Sequence, residues 1–215
     1  MQGDAREPLM RRMGILGVVS FVSFLAAVLF APRAYPGYDW LSQAVSDLSA
    51  QDAPSLSLWN RLASLNGVAA LSMLMVCCVY VQGRLNRETR LGVYLYAAMM
   101  WVSAVGYVFF PLTTSGFAGT GQDTAHLALT GVVVLLSIAS MVLLIVGGLR
   151  GRTLPSLAAW AALTLALMFT GAIGTMAGPK AYFGLFERFS VLSSMGFTAV
   201  LGVYLMLGFP SGAKA

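Results

Sequence analysis

An all-α bundle of six membrane-spanning helices is the fold that this 215-residue sequence predicts. Three observations predict it. Apolar residues make up 58% of the chain and charged residues 10%, against about 25% charged in soluble domains. The charges sit in clusters separated by long apolar runs. Six of these runs reach the roughly 20 residues that a helix needs to cross about 30 Å of hydrocarbon. Lipid offers the backbone no water, so each run must be helical. The formal charge of +5 does not signal a nucleic-acid partner, because the basic residues flank the apolar runs and read as membrane topology.

The spans fall at about 13–31, 59–81, 91–112, 125–148, 156–177 and 184–208, in a single domain covering 1–215. The first run is longer than the apolar region of a typical signal peptide and five more follow, so it reads as a retained helix. After it comes the long loop 32–58. Its stretch YDWLSQAVSDLSAQDAP holds Asp39, Asp47 and Asp52. Asp39 is placed to cap a helix beginning at Trp40. Trp40, Leu41, Ala44, Val45 and Leu48 then share one face, and Ser42, Gln43, Ser46 and Asp47 the other. This predicts a short amphipathic helix lying in the interface. The second span contains Cys77 and Cys78, neighbours that form neither a disulfide framework nor a metal-type spacing.

Between spans three and four, GFAGTG lacks the lysine of a phosphate loop and reads as linker. Asp123 is placed as N-cap of the fourth span, three residues before His126, the one histidine in the chain. That spacing puts both on one helix face, which Thr130, Ser137 and Ser140 continue. In the fifth span Ala158, Ala162, Ala166, Thr170, Gly174 and Gly178 recur every four residues. Such a stripe lets another backbone approach closely, within the bundle or in a helix-mediated oligomer. The sixth span opens on Glu187 and Arg188, with Glu187, Ser190, Ser194 and Thr198 on one face.

Arg6, Arg11, Arg12, Arg84, Arg87, Arg90, Arg150, Arg152 and Lys214 fall on one side of the bundle, and Arg33, Arg61, Lys180 and Arg188 on the other. The arginine-rich side is predicted to be cytoplasmic, in the plasma membrane, with both termini there. Asp4, Glu7 and Glu88 accompany it, whereas Asp39, Asp47, Asp52, Asp123 and Glu187 are predicted on the outside.

A charge at the bilayer centre costs about 2.5–3.5 kcal/mol on insertion scales, and the spans place none there. The polar groups gather at the outer ends, where they could converge on a polar pocket. His126 is the candidate base, with Asp123 to orient it. Asp47 and Glu187 are further carboxylates, and Ser46 is the hydroxyl nucleophile of a serine–histidine–aspartate reading. Arg188, Asp39, Asn60, Ser190 and Ser194 are candidate contacts to substrate. His126, Asp47 and Glu187 would be the ligands if the pocket held a divalent metal, although no ligand spacing enforces it. Nothing resembles a nucleophile elbow.

The stretch YDWLSQAVSDLSAQDAP with LWNRLASLNG resembles the opening motif of the membrane family known as domain of unknown function 998. The resemblance rests on Tyr38, Asp39, Ser46, Asp47, Leu48, Pro54 and Asn60. It extends to Phe110-Pro111, to the histidine opening the fourth span and to the acidic–basic pair opening the sixth. Leu112-Thr113 stands where an aspartate would be expected, and Asp123 is the candidate to replace it. The resemblance carries no activity with it. The residues lead to a membrane protein whose outer pocket binds, and hydrolyses or remodels, a lipid or other amphiphile. A small-solute carrier and a non-enzymatic assembly protein remain the alternatives.

Overall fold

A computed structural model of the chain describes residues 6–210. Asp4 and Lys214, assigned above to the arginine-rich side, lie outside the described residues. Helices are α1 Glu7–Arg12, α2 Ile15–Phe30, α3 Leu56–Leu62, α4 Asn66–Tyr80, α5 Arg87–Phe109, α6 Gly121–Leu149, α7 Pro155–Ala177 and α8 Phe183–Leu207. Together they make six candidate spans, with α1 and α2 forming one and α3 and α4 another. No strand occurs among the described residues.

The spans pack as a ring in chain order. α2 contacts α4, α4 contacts α5, and so on to α8, which returns to α2. Tyr96, Met73, Met141, Phe197 and Leu201 fill the centre. The Tyr96 hydroxyl donates to the Ser194 carbonyl at 2.7 Å and pairs with the Thr198 hydroxyl at 2.8 Å, tying α5 to α8. The second span is broken at 63–65 for a local reason. The Ser23 hydroxyl takes the Leu62 carbonyl, so the Asn66 N–H turns to Ala63 instead. A side chain that competes for a helix carbonyl bends the helix in this way.

The small-residue stripe on α7 divides. Ala158 and Gly174 are buried, together with Ala161, Thr164 and Gly171, whereas Ala162, Ala166 and Thr170 are exposed. Four-residue spacing drifts around a helix of 3.6 residues per turn, so the stripe leaves the contact line. The start of α2 and the end of α8 approach closely. A Cβ added at Gly202 would stand 2.4 Å from the Gly14 carbonyl oxygen.

The first long loop differs from the expected amphipathic helix. It runs as turns through 40–42 and a single 3-10 turn at Ser46–Ser49. A helix would send the N–H groups of Ala44 and Val45 to carbonyls four residues back. Here the first goes to the Asp47 carboxylate and the second to Glu187. Val45 and Leu48 are buried, but Trp40 and Leu41 are exposed, so the predicted apolar face is not a face.

Gly202→Ala should lower stability by about 1–3 kcal/mol, the usual cost of overpacking. Gly131, where an added Cβ meets nothing within 4 Å, should tolerate alanine without loss. Thermal unfolding of the two variants in detergent checks the contrast.

Candidate functional site at the loop end of the bundle

The N-terminus of α8 has no side-chain cap of its own. The first loop supplies one: the Leu185 N–H donates to the Leu41 carbonyl at 2.9 Å. Glu187 accepts from the Val45 N–H at 2.5 Å. Arg188 donates from Nη1 to the Gln43 carbonyl at 3.0 Å and to the Gly184 carbonyl at 2.7 Å, and from Nη2 to the Tyr38 hydroxyl at 2.7 Å. The Tyr38 hydroxyl in turn donates to the Ala44 carbonyl at 2.7 Å. Burial pushes the Tyr38 hydroxyl up to about 12, so near neutral pH it stays a neutral phenol, able to accept and donate at once.

Arg188 is 2% exposed and is the largest fully buried side chain among the described residues. The Trp40 ring lies 4.3 Å from its guanidinium carbon. No carboxylate forms an ion pair with it among the described residues. A guanidinium carries five N–H groups; its hydrogen bonds account for three, and Nε has no partner. A buried cation in this condition is costly and exerts a strong pull on any anion that reaches it. Gly184 allows the loop to sit this close, since a Cβ there would stand 2.1 Å from the Gln43 carbonyl oxygen.

Asp47 is 6% exposed. It accepts from the Ala44 N–H at 3.1 Å and from the Gly116 N–H at 2.9 Å. Asp52 accepts from the Ser115 N–H at 3.1 Å. The first long loop is thereby tied to loop 110–120 as well as to α8. Asp39 is exposed and closes its own turn, accepting from the Ser42 hydroxyl and the Leu41 N–H; these donors hold its carboxyl below the ordinary range.

Several expected pairings are replaced. Asp123 does not orient His126. Thr120 is the N-cap of α6, and Asp123 completes a capping box with it. Asp123 also reaches back to the Thr113 N–H at 2.9 Å and hydroxyl at 2.7 Å. It therefore stands against the very pair, Leu112-Thr113, where the resemblance led to an aspartate. His126 is oriented by a backbone carbonyl, with Nδ1 2.8 Å from the Phe110 oxygen, and its ring lies 4.8 Å from that of Tyr107. A carbonyl only accepts, so Nδ1 carries the proton and a neutral ring leaves Nε2 as the acceptor.

His126, Asp47 and Glu187 do not assemble into a metal set. No group of three metal-ligating side chains occurs among the described residues, because each of these three is engaged with the backbone. Ser46 opens the 3-10 turn, and its carbonyl accepts from the Ser49 hydroxyl at 3.1 Å. Asn60 is exposed on α3, beside the Trp59 that packs inward on Phe24. Ser190 donates to the Met168 carbonyl at 2.8 Å, and Ser194 offers its carbonyl to Tyr96. Both are ties between helices. Residues not singled out from sequence complete the cluster: Gln43 and Val45 act through backbone atoms, and Gly184 through the side chain it lacks. Only the THR-GLY-GLN-ASP pattern of the capping box at 120–123 was a readable local signal.

Gly184→Ala should displace the loop and raise amide hydrogen exchange at Val45 and Leu185 by about tenfold, equal to about 1.4 kcal/mol of opening free energy. Unchanged protection would mean that the loop is not held at this point.

A family model described as protein of unknown function (DUF998) matches residues 18–204. No curated protein and no solved structure matches the chain.

Proposed function

The chain belongs to the DUF998 family, and from that premise we propose that its loop end binds the anionic head of a membrane lipid or other amphiphile, with Arg188 as the contact. The observation that carries this reading is the buried guanidinium with an unpartnered Nε and no ion pair among the described residues. At an effective dielectric constant of about 20, an anion drawn to about 4 Å gains about 4 kcal/mol. Trp40 and Tyr38 frame the approach, as aromatic residues do at membrane interfaces.

Binding is favoured over hydrolysis by the use of the carboxylates. Asp47, Asp123 and Glu187 each already accept N–H groups, so the carboxylates that hydrolysis would draw on are holding loops. Asp47 and Glu187 act as positioning residues for the cover over Arg188.

Native mass spectrometry of protein extracted from membranes tests the reading. The wild type should carry an anionic amphiphile that Arg188→Gln loses. Trp40→Ala, at a half-exposed position that should not disturb folding, should weaken retention several-fold. A wild type that carries nothing anionic, or equal retention in both variants, would remove the proposal.

The second part of the reading concerns orientation. The arginine-rich end, with Arg6, Arg11, Arg12, Arg84, Arg87, Arg90, Arg150 and Arg152, is assigned to the cytoplasm of a cell whose plasma membrane the protein spans. In a background of Cys77→Ala and Cys78→Ala, a membrane-impermeant thiol reagent on intact cells should label Gln51→Cys and spare Arg152→Cys. The reverse pattern would invert the assignment.

A further inference from the structure

We propose a second site, at the arginine-rich end, for the phosphate headgroup of an anionic lipid. It is a cavity of about 280 Å³ lined by Gln82, Arg87, Arg90, Leu91 and Tyr94. It lies at the opposite end of the bundle from Arg188 and does not depend on the reading above.

The site follows from how α5 begins. Asn86 caps the helix by accepting from the Thr89 N–H at 2.9 Å, and its amide donates to the Gly147 carbonyl at 2.7 Å. This fixes the rotation of α5 against α6. Thr89, Gly92, Val93 and Tyr96 then face inward and are buried. Arg87, Arg90, Leu91 and Tyr94, at helical spacing along one face, are left towards the outside, with Leu91 39% exposed.

Three other arginines at this end have partners. Arg84 pairs with Glu7 at 3.3 Å and Arg150 pairs with Glu88. Arg11 donates to the Met206 carbonyl at 2.9 Å. Arg87 and Arg90 make no ion pair among the described residues, although Glu88 lies between them in sequence. Glu88 makes its ion pair with Arg150, so two arginines line the cavity and no acidic residue does. The N-terminal end of a helix adds positive potential. The Gln82 amide and the Tyr94 phenol supply neutral donors.

Two planar cations with flanking neutral donors suit a phosphate, whose oxygens accept bidentate bonds from arginine. A lipid is favoured over a soluble phosphate because the face is continuous with a span. Leu91 and Tyr94 give the site an apolar and an aromatic side at headgroup level, where tyrosine is enriched. Attraction of this kind to an anionic surface is expected to enrich the lipid on the order of tenfold.

The test uses full-length protein in nanodiscs of equal phosphatidylglycerol and phosphatidylcholine, with retained lipid counted by native mass spectrometry. The wild type should retain phosphatidylglycerol in preference, and Arg87→Gln with Arg90→Gln should remove one phosphatidylglycerol molecule in the wild type and in the Trp40→Ala background alike. Arg152→Gln, another arginine at this end, should remove none. Excess inorganic phosphate, compared with chloride at matched ionic strength, should not displace it. No preference in the wild type, or an equal loss in Arg152→Gln, would overturn the site as a mere effect of surface charge. Displacement by inorganic phosphate would overturn the lipid assignment.

Discussion

A backbone N–H or carbonyl that packing buries must find a partner, because an unmade bond there costs as much as in a protein core. The loop end of this protein is organised by that constraint. Its loops have no regular helix or sheet to absorb their polar groups, so side chains absorb them. Asp47, Asp52, Asp123 and Glu187 accept N–H groups, and Arg188 donates to carbonyls. The acidic stretch in the first loop is, in this light, the set of acceptors that lets three separate segments share one surface.

The guanidinium of Arg188 is where the scheme leaves a surplus. The carbonyls of Gln43 and Gly184 and the Tyr38 hydroxyl satisfy part of its donor capacity but none of its charge. A carboxylate is present on the neighbouring residue, but Glu187 bonds the Val45 N–H and makes no ion pair with Arg188 among the described residues. The same division recurs at the other end, where Glu88 pairs with Arg150, and Arg87 and Arg90 make no ion pair among the described residues. In a chain with 8 acids against 13 lysines and arginines, the placement of each carboxylate decides which cations remain available to an anion.

Much of the scaffold was legible because it rests on period and length. Runs of apolar residues must be helices in lipid, and their ends are marked by charge. The observed spans therefore depart from the expected ones by a few residues, as at Asn86, whose cap starts α5 before the apolar run begins. The first loop was less legible. Helical spacing at Trp40, Leu41, Ala44, Val45 and Leu48 is a statement about one segment alone. It could not register that Glu187, 142 positions away, would take the Val45 N–H. His126 and Asp123 failed as a pair for a similar reason: a shared helix face allows two side chains to meet but does not outbid a capping box and a nearby threonine.

The sequence by itself determined that the chain is a six-span membrane protein, which residues lie at each end, and that the end opposite the arginine-rich one is rich in carboxylates. These follow from hydrophobic burial and charge placement, which act through composition and local order. Only the tertiary structure decided what the polar residues do: that the carboxylates hold backbone, that Ser190 and Ser194 tie helices, and that Arg188 is buried without an ion pair. Hydrogen bonding is short-ranged and saturable, so its partners are settled only when distant segments have been brought within about 3 Å of one another.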